Sequence, residues 1–449
     1  MNEQQSQYPS QSGYSEHQQK PAPKGNGERV LKAIGMVTLG VGVFFAGSLA
    51  HYFSLDSEMR ALISLKRYIQ NYYYQEITDE QFYDAAFNGV DGLLDAYSKY
   101  LTPEELVERM TQATGEHSGL GVAFSGTATG EDQLKIMQIT GNSPAEKAGL
   151  LAGERIVGYG ASESEIGGVL TFEAFSNFLG GYRAGQEVYL KIRSFSGQER
   201  VVCIAKANFL ESCVSYRAKD TAYRFVKDDN LEKTADDNVL EKLAVDTAYI
   251  RLTSFNGVAA EEFDMAMTQF KTEGKKNLVL DLRGNTGGYL DIMVDIAKYF
   301  CKSATTDNPI AMIADYGEKK ENFYATDNLY DEYFQADSRI TVLADNLSAS
   351  ASECLIGCMY DYGAIGFDDI CLSQRGEEVK TFGKGIMQTT YPFINGTGAA
   401  KLTTATVHWP LSNRCIHGRG ILPEDGALQV AENVDFEAEL NAALTVLFG

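Results

Sequence analysis

Apolar strands alternate with amphipathic helices through the C-terminal half of this 449-residue chain, and that alternation predicts an α/β fold. Three observations carry the expectation. TAYIRLTSF (247–255) and NLVLDLRG (277–284) read as buried strands, whereas AAEEFDMAMTQFK (259–271) and YLDIMVDIAKYF (289–300) read as helices. RITVLAD (339–345) followed by ASECLIGCMYDYG (351–363) then repeats the strand-then-helix pattern. Ahead of this half lies a stretch of short alternating strands punctuated by glycines, which predicts a separate small β-rich domain over residues 117–205.

Composition narrows the function. Hydrophobic content is 44% and charged content 22%, values from which most of the chain can bury a core. The net charge of −22 excludes a nucleic-acid partner, because a phosphate backbone calls for a basic footprint. The seven cysteines form no paired CxxC clusters, which argues against a zinc site, and the chain is too large to need a disulfide framework.

Residues 1–31 are rich in Gln, Ser, Gly, Pro and Tyr and nearly free of aliphatic side chains, so they are expected to be a disordered tail. Residues 32–54 contain the run AIGMVTLGVGVFFAGSLAHYF (33–53), with no charged residue apart from the weak base His51. At about 1.5 Å per residue this run spans the roughly 30 Å of a bilayer core. Lys20, Lys24, Arg29 and Lys32 precede it, so the expected topology is a single-pass anchor with a cytoplasmic N-terminus and everything after residue 55 outside. A cleaved signal peptide is the competing reading; the length of the apolar run and of its polar leader favours a retained anchor.

Residues 55–116 are expected to be a helical arm. In it, Thr102, Pro103 and Glu105 form an N-terminal helix signature. Strands are expected at QLKIMQI, ERIVGYG, EVYLKIRS and ERVVCIA within the small domain. Residues 206–245 read as a charged connector at the start of the 206–430 domain, and 431–449 as a C-terminal helical segment.

Four stretches carry chemistry. SGLGVAF (118–124) puts glycines at 119 and 121, where freed backbone N–H groups can cradle an anion beside the edge of a following strand. VLDLRGNTGGYL (279–290) is a buried strand running into a glycine-rich turn and then a helix, a junction whose amides can stabilise a developing negative charge. DNLSASASECLIGCMYDYG (345–363) sets small residues and three serines, Ser348, Ser350 and Ser352, before a helix. KTFGKGIMQTTYPF (380–393) holds Lys384 between two glycines; a lysine desolvated in such a turn loses its proton readily and can act as a base.

Together these stretches resemble the carboxyl-terminal processing (tail-specific) proteases, over roughly residues 62–430. The resemblance implies a crotonase-like core of stacked β-β-α units with a PDZ domain ahead of it. It implies Ser350 as nucleophile, from Ser-Ala-Ser-Glu aligned on Glu353, with Ser348 and Ser352 as alternatives. Lys384 is the implied general base and Gln388 the residue that orients it. The implied oxyanion hole is the Ala351 amide with that of Gly287 or Gly288. Gly119, Leu120, Gly121 and Val122 correspond to the carboxylate-binding loop that receives C-terminal tails of protein substrates. No cofactor or metal is implied, and a homodimer is allowed. The chain departs from the family in carrying Glu154 where Asp is usual, and in a longer connection at 364–380, expected to form a loop near the cleft. The rival reading is a catalytically inactive PDZ scaffold in the cell envelope. A Ser–His arrangement is disfavoured, since His117, His408 and His417 flank no nucleophile elbow.

Overall fold

The structure is a computed structural model that describes residues 54–124, 133–151, 153–194, 196–219, 221–225, 243–373, 378–394, 396–430 and 444. The expected tail, the apolar run 33–53 and all of 431–449 except Leu444 lie outside the described residues. Among the described residues no helix is long and apolar enough to cross a membrane. The chain divides into two compact units, residues 1–87 and 88–449. In the first, helix Ser57–Tyr72 is capped by Asp56, whose Oδ1 accepts from the Met59 amide at 2.7 Å.

The second unit holds a seven-stranded sheet. Its order is Thr221–Phe225, Val214–Ala218, Thr247–Leu252, Asn277–Asp281, Ile340–Asp345, Ile370–Ser373, Leu428–Val430. From Thr247–Leu252 onward the neighbours run parallel. Strands buried on both faces must be apolar throughout, which is why ITVLAD and NLVLD show no alternation. Helices Ala259–Thr272, Leu290–Ala297 and Ala351–Asp361 pack Phe263, Phe270, Met293 and Leu355 against one face. Tyr249, Val279, Leu343 and Leu444 form a smaller cluster on the other. The expected α/β architecture and its strands and helices are therefore present.

Three expectations need correction. Residues 206–245 are not merely a connector: Val214–Ala218 pairs with Thr247–Leu252 in the central sheet, and Val214, Tyr216 and Ala218 are fully buried. The arm is not helical throughout, because Lys99–Leu101 is a strand paired with Ala399–Lys401. The helix Pro103–Thr114 does start as expected, with a reciprocal cap between Thr102 and Glu105 (3.0 and 3.2 Å). The connection 364–380 is not simply a loop: Ile370–Ser373 is a buried strand of the central sheet. Charged neighbours in sequence hid these strands, whose burial comes from long-range pairing.

A second sheet is built around the long strand Ala399–His408, which pairs with Ile386–Pro392, Lys99–Leu101 and Ile310–Asp315. The small domain, with its own core of Leu120, Ile136, Phe175, Val188, Leu190 and Ile192, leaves and rejoins the larger one at a close weld. There the Gly257 amide donates to Ala113 O (3.1 Å), and the Glu211 amide to Gly115 O (2.7 Å).

Candidate active site

The strand Asn277–Asp281 ends in a turn that the buried Arg283 locks down, its guanidinium donating to Asp281 Oδ2 at 2.6 Å. Tyr249 Oη donates to the same oxygen, also at 2.6 Å. Burial pushes the Asp281 carboxyl up, but the charge and hydrogen bonds of Arg283, the charge of Arg251 and the Tyr249 hydroxyl together hold it below its ordinary value. Asn285 then joins this turn to the serine segment. Its carbonyl accepts from the Ala349 amide (3.0 Å) and Ser352 Oγ (2.9 Å), and its side-chain Nδ2 donates to Leu252 O (2.9 Å).

At Gly287 the backbone has φ +98° and runs against the serine segment so closely that a Cβ there would lie 2.8 Å from both Ala349 O and Ser350 Cβ. Only glycine fits. This contact brings the glycine-rich turn to Ser350. The two glycines differ in their amides, however. The Gly287 N–H donates to Asn285 Oδ1 at 2.9 Å. Among the described residues, the N–H groups of Gly288 and of Ala351 donate to none.

The three serines also separate. Ser348 is fully buried: its Oγ donates to Leu282 O (2.8 Å) and accepts from the Asp345 amide (2.9 Å). Ser352 is fully buried, with Oγ on Asn285 O. Ser350 stands at the N-cap of helix Ala351–Asp361, partly exposed, with φ +58° and no capping bond to its side chain. A non-glycine residue held at positive φ costs about 1–3 kcal/mol and persists only where its surroundings over-determine it.

Those surroundings are one carboxylate. Glu353 is fully buried. Its Oε2 accepts from the Ser350 amide (3.0 Å) and the Lys384 amide (2.9 Å). Its Oε1 accepts from the Gly383 amide (2.8 Å) and Thr381 Oγ1 (2.6 Å). Because Ser350 and Lys384 share one oxygen, their backbone nitrogens lie within about 6 Å of each other. Burial raises the Glu353 carboxyl above its usual value, and the four donors oppose that rise. Sequence reading used Glu353 only to align the motif; its position three residues after an N-cap was the signal for its role.

Lys384 is held by its backbone, and its half-buried side chain extends over the Tyr97 ring, with Nζ 5.3 Å from the centroid. Burial lowers its pKa from the ordinary lysine value, and the Arg109 guanidinium lowers it further; Cys354 and Glu353 oppose. Gly383, at φ +88°, lets the chain pass close to Arg419 and Gly420. Gln388 sits on strand Ile386–Pro392 with Nε2 donating to Thr403 Oγ1 (3.3 Å). The histidines lie in other settings: His117 on Glu211 (3.0 Å), His408 on Thr406 and Asn413, and His417 exposed beside Tyr97.

In the small domain Leu120 is buried, and Gly121 (φ +77°) lies against Ser143 with no room for a side chain. Among the described residues the Leu120 and Gly121 amides donate to none, and strand Val122–Phe124 pairs on one side only, with Ile136–Ile139. Helix Phe172–Gly180 lies alongside that strand, through Phe124 against Phe172 and Phe175.

Comparison with known proteins gives relatives on three levels. Residues 246–425 match the family model described as Peptidase family S41. A probable CtpA-like serine protease of Staphylococcus saprophyticus is 28% identical over 395 residues, spanning 87% of this chain and 70% of that protein. One from Staphylococcus haemolyticus is 27% identical over 403 residues, spanning 88% and 71%. A solved photosystem II D1 C-terminal processing protease is 21% identical over 86% of this chain and 97% of its own, with a TM-score of 0.48.

The Glu353 clasp generates a first prediction. In Glu353→Gln the amide oxygen can serve only one pair of donors, either Ser350 and Lys384 or Gly383 and Thr381. The amide N–H₂ then faces the other pair. Each stranded donor costs about 1–3 kcal/mol, so the variant should unfold at markedly lower denaturant. Amide hydrogen exchange at Ser350, Gly383 and Lys384 should accelerate before the rest of the core opens. Unchanged exchange at those amides would show that the clasp is held elsewhere.

Proposed function

We infer that this chain, whose residues 246–425 belong to peptidase family S41, is a serine endopeptidase of the carboxyl-terminal processing type, with Ser350 as nucleophile and Lys384 as general base. The observation that carries this reading is the contrast among the three serines: Ser348 and Ser352 are buried and spend their hydroxyls on the backbone, while Ser350 is partly exposed at a helix N-terminus and clasped to the lysine segment. The strand–helix units stacked behind it support the crotonase-like reading of the core.

The chemistry is acyl transfer. Neutral Lys384 takes the proton of Ser350 Oγ as that oxygen attacks a peptide carbonyl carbon. The Ala351 and Gly288 amides, both without an acceptor among the described residues, are the donors for the oxyanion; Gly287, whose amide is already engaged, shapes the turn. The lysine ammonium then protonates the leaving amine as the C–N bond breaks. Water, giving its proton to the again-neutral lysine, hydrolyses the ester and restores the serine. We assign Gln388 to orienting Lys384 from the adjoining strand.

Lys384 serves only while neutral, and its pKa is lowered, so activity should rise with pH along a limb centred below the ordinary lysine value. Lys384→Arg keeps its proton and should lose about 10²–10⁴-fold in turnover, and Ser350→Ala, which removes the nucleophile, should abolish cleavage (a loss of about 10⁶-fold), with neither unfolding. The assay is cleavage of an unfolded protein from pH 6 to 10 (about the range lysine needs). Near-normal turnover by Lys384→Arg would sink the dyad.

We assign residues 117–205 as a PDZ domain that binds substrate C-terminal tails. Its support, among the described residues, is the pair of unengaged amides at Leu120 and Gly121 beside a strand paired on one side only, with helix Phe172–Gly180 packed on that strand through Phe124. A peptide with an amidated C-terminus should bind and be processed at least about tenfold more weakly than its free-acid twin. Equal behaviour would make the loop structural.

We further propose that residues 33–53 anchor the chain in a membrane, with the protease on the extracytoplasmic side. The support is the uncharged apolar run with four basic residues before it. Protease added to intact cells should digest the core, and a soluble chain beginning near residue 50 would overturn the assignment.

A further inference from the structure

Beside Lys384 lies a concentration of positive charge, of which a Ser–Lys pair uses only the lowering of the lysine pKa by Arg109. Lys99, Lys401 and Thr390 are directly opposite one another across three adjacent antiparallel strands, so their side chains share one face. Arg109, from helix Pro103–Thr114, reaches that face and donates from Nε to Thr390 Oγ1 at 3.2 Å. Thr403 and Gln388 continue the same face, and Gln388 is four residues beyond Lys384 on the strand that leads away from it.

Like charges placed directly opposite in a sheet repel. Lys99 is relieved by Glu105 at 2.6 Å. Arg109 and Lys401 are not: among the described residues neither has a carboxylate partner, and both are only partly exposed. Asp95, the acidic group that bears on Lys401, is occupied by the Tyr97 amide (2.9 Å) and by Thr403 and Ser98. Burial, then Arg109, Lys384 and Lys99, lower the pKa of Lys401. A chain with a net charge of −22 has carboxylates to spare, yet among the described residues none pairs with Arg109 or Lys401 beside Lys384.

We propose that Arg109 and Lys401 form a subsite for a carboxylate of the peptide substrate, within a few residues of the bond to be cut. The inference deepens the protease reading and rests on it for the identity of the ligand. The carboxylate has two sources, an Asp or Glu side chain near the scissile bond or the substrate's own C-terminus, and the two are separable. An incoming carboxylate would gain charge-assisted hydrogen bonds from the Arg109 fork and the Lys401 ammonium and would relieve their mutual repulsion.

The experiment measures binding, so that it does not depend on turnover. The full chain carrying Ser350→Ala is titrated with three fluorescent peptides of one sequence. One has an internal Glu and an amidated end, one an internal Gln and a free-acid end, and one an internal Gln and an amidated end. At least one carboxylate peptide should bind about tenfold more tightly than the doubly neutral one through this subsite. Adding Arg109→Gln and Lys401→Gln should collapse that part of the preference to below about twofold, and added salt should compress it. Adding Arg109→Lys and Lys401→Arg instead should keep most of it, which excludes simple loss of fold. Any preference the small domain contributes for a free-acid end is untouched by these substitutions. An internal-Glu preference that survives the double Gln variant overturns the subsite, and so does equal affinity for the internal-Glu and doubly neutral peptides together with a free-acid preference that the double Gln variant leaves unchanged. The protease reading is judged separately, by turnover of the chain with Ser350 intact.

Discussion

The carboxylate of Glu353 accepts hydrogen bonds from two segments about thirty residues apart in sequence, and the site exists only while it does so. One side of the clasp fixes the amide of a serine at φ +58°, a conformation the chain would otherwise leave. The other fixes the amides of Gly383 and Lys384. Burying a carboxylate is costly unless its lone pairs are filled, and here four donors fill both oxygens. Burial still raises the carboxyl's pKa, so the four donors reduce the cost of keeping the charge without cancelling it, and in return both segments are held in place.

The neighbouring serines belong to the same construction. Ser348 and Ser352 use their hydroxyls to tie the serine segment to Leu282 and Asn285, at the start of the glycine-rich turn. Asn285 returns the tie through Leu252 and its own bond to Gly287. The result is a turn in which the Gly287 amide is spent and the Gly288 amide, among the described residues, donates to none. A hole for an oxyanion needs donors that are fixed in place yet unsatisfied by protein. Spending one amide to position its neighbour meets both needs.

Much of this was legible in the sequence. The parallel strands were visible because burial on both faces leaves uninterrupted apolar runs such as ITVLAD, and the helix start at Thr102 was visible because its cap is local. What escaped was whatever depends on distant partners. Val214–Ala218 looked like connector because its burial comes from pairing with a strand more than thirty residues later. Ile370–Ser373 looked like part of an inserted loop for the same reason. The choice between Gly287 and Gly288 turns on one side-chain acceptor, Asn285 Oδ1, two residues away, and no motif encodes which amide it takes. The motifs around Ser350 and Lys384 stood out in the sequence, and the position of Glu353 three residues after an N-cap was the local signal of its bond to Ser350, but its bonds to Thr381, Gly383 and Lys384 depend on a distant segment.

The way Glu353 holds Lys384 bears directly on whether that lysine can be a base. Had the carboxylate paired with Nζ, the attraction would have favoured the ammonium and raised its pKa. Instead Glu353 binds the backbone N–H of Lys384, and its charge is largely answered by four donors, so its effect on Nζ is the least of the causes acting there. Burial and the Arg109 guanidinium act in the opposite direction and prevail. The Tyr97 ring lies under Nζ at 5.3 Å, where it offers packing surface but no full negative charge. Anchoring the lysine by its main chain thus separates two demands that a direct ion pair would set against each other: the side chain is held where it is needed, and it remains free to give up its proton.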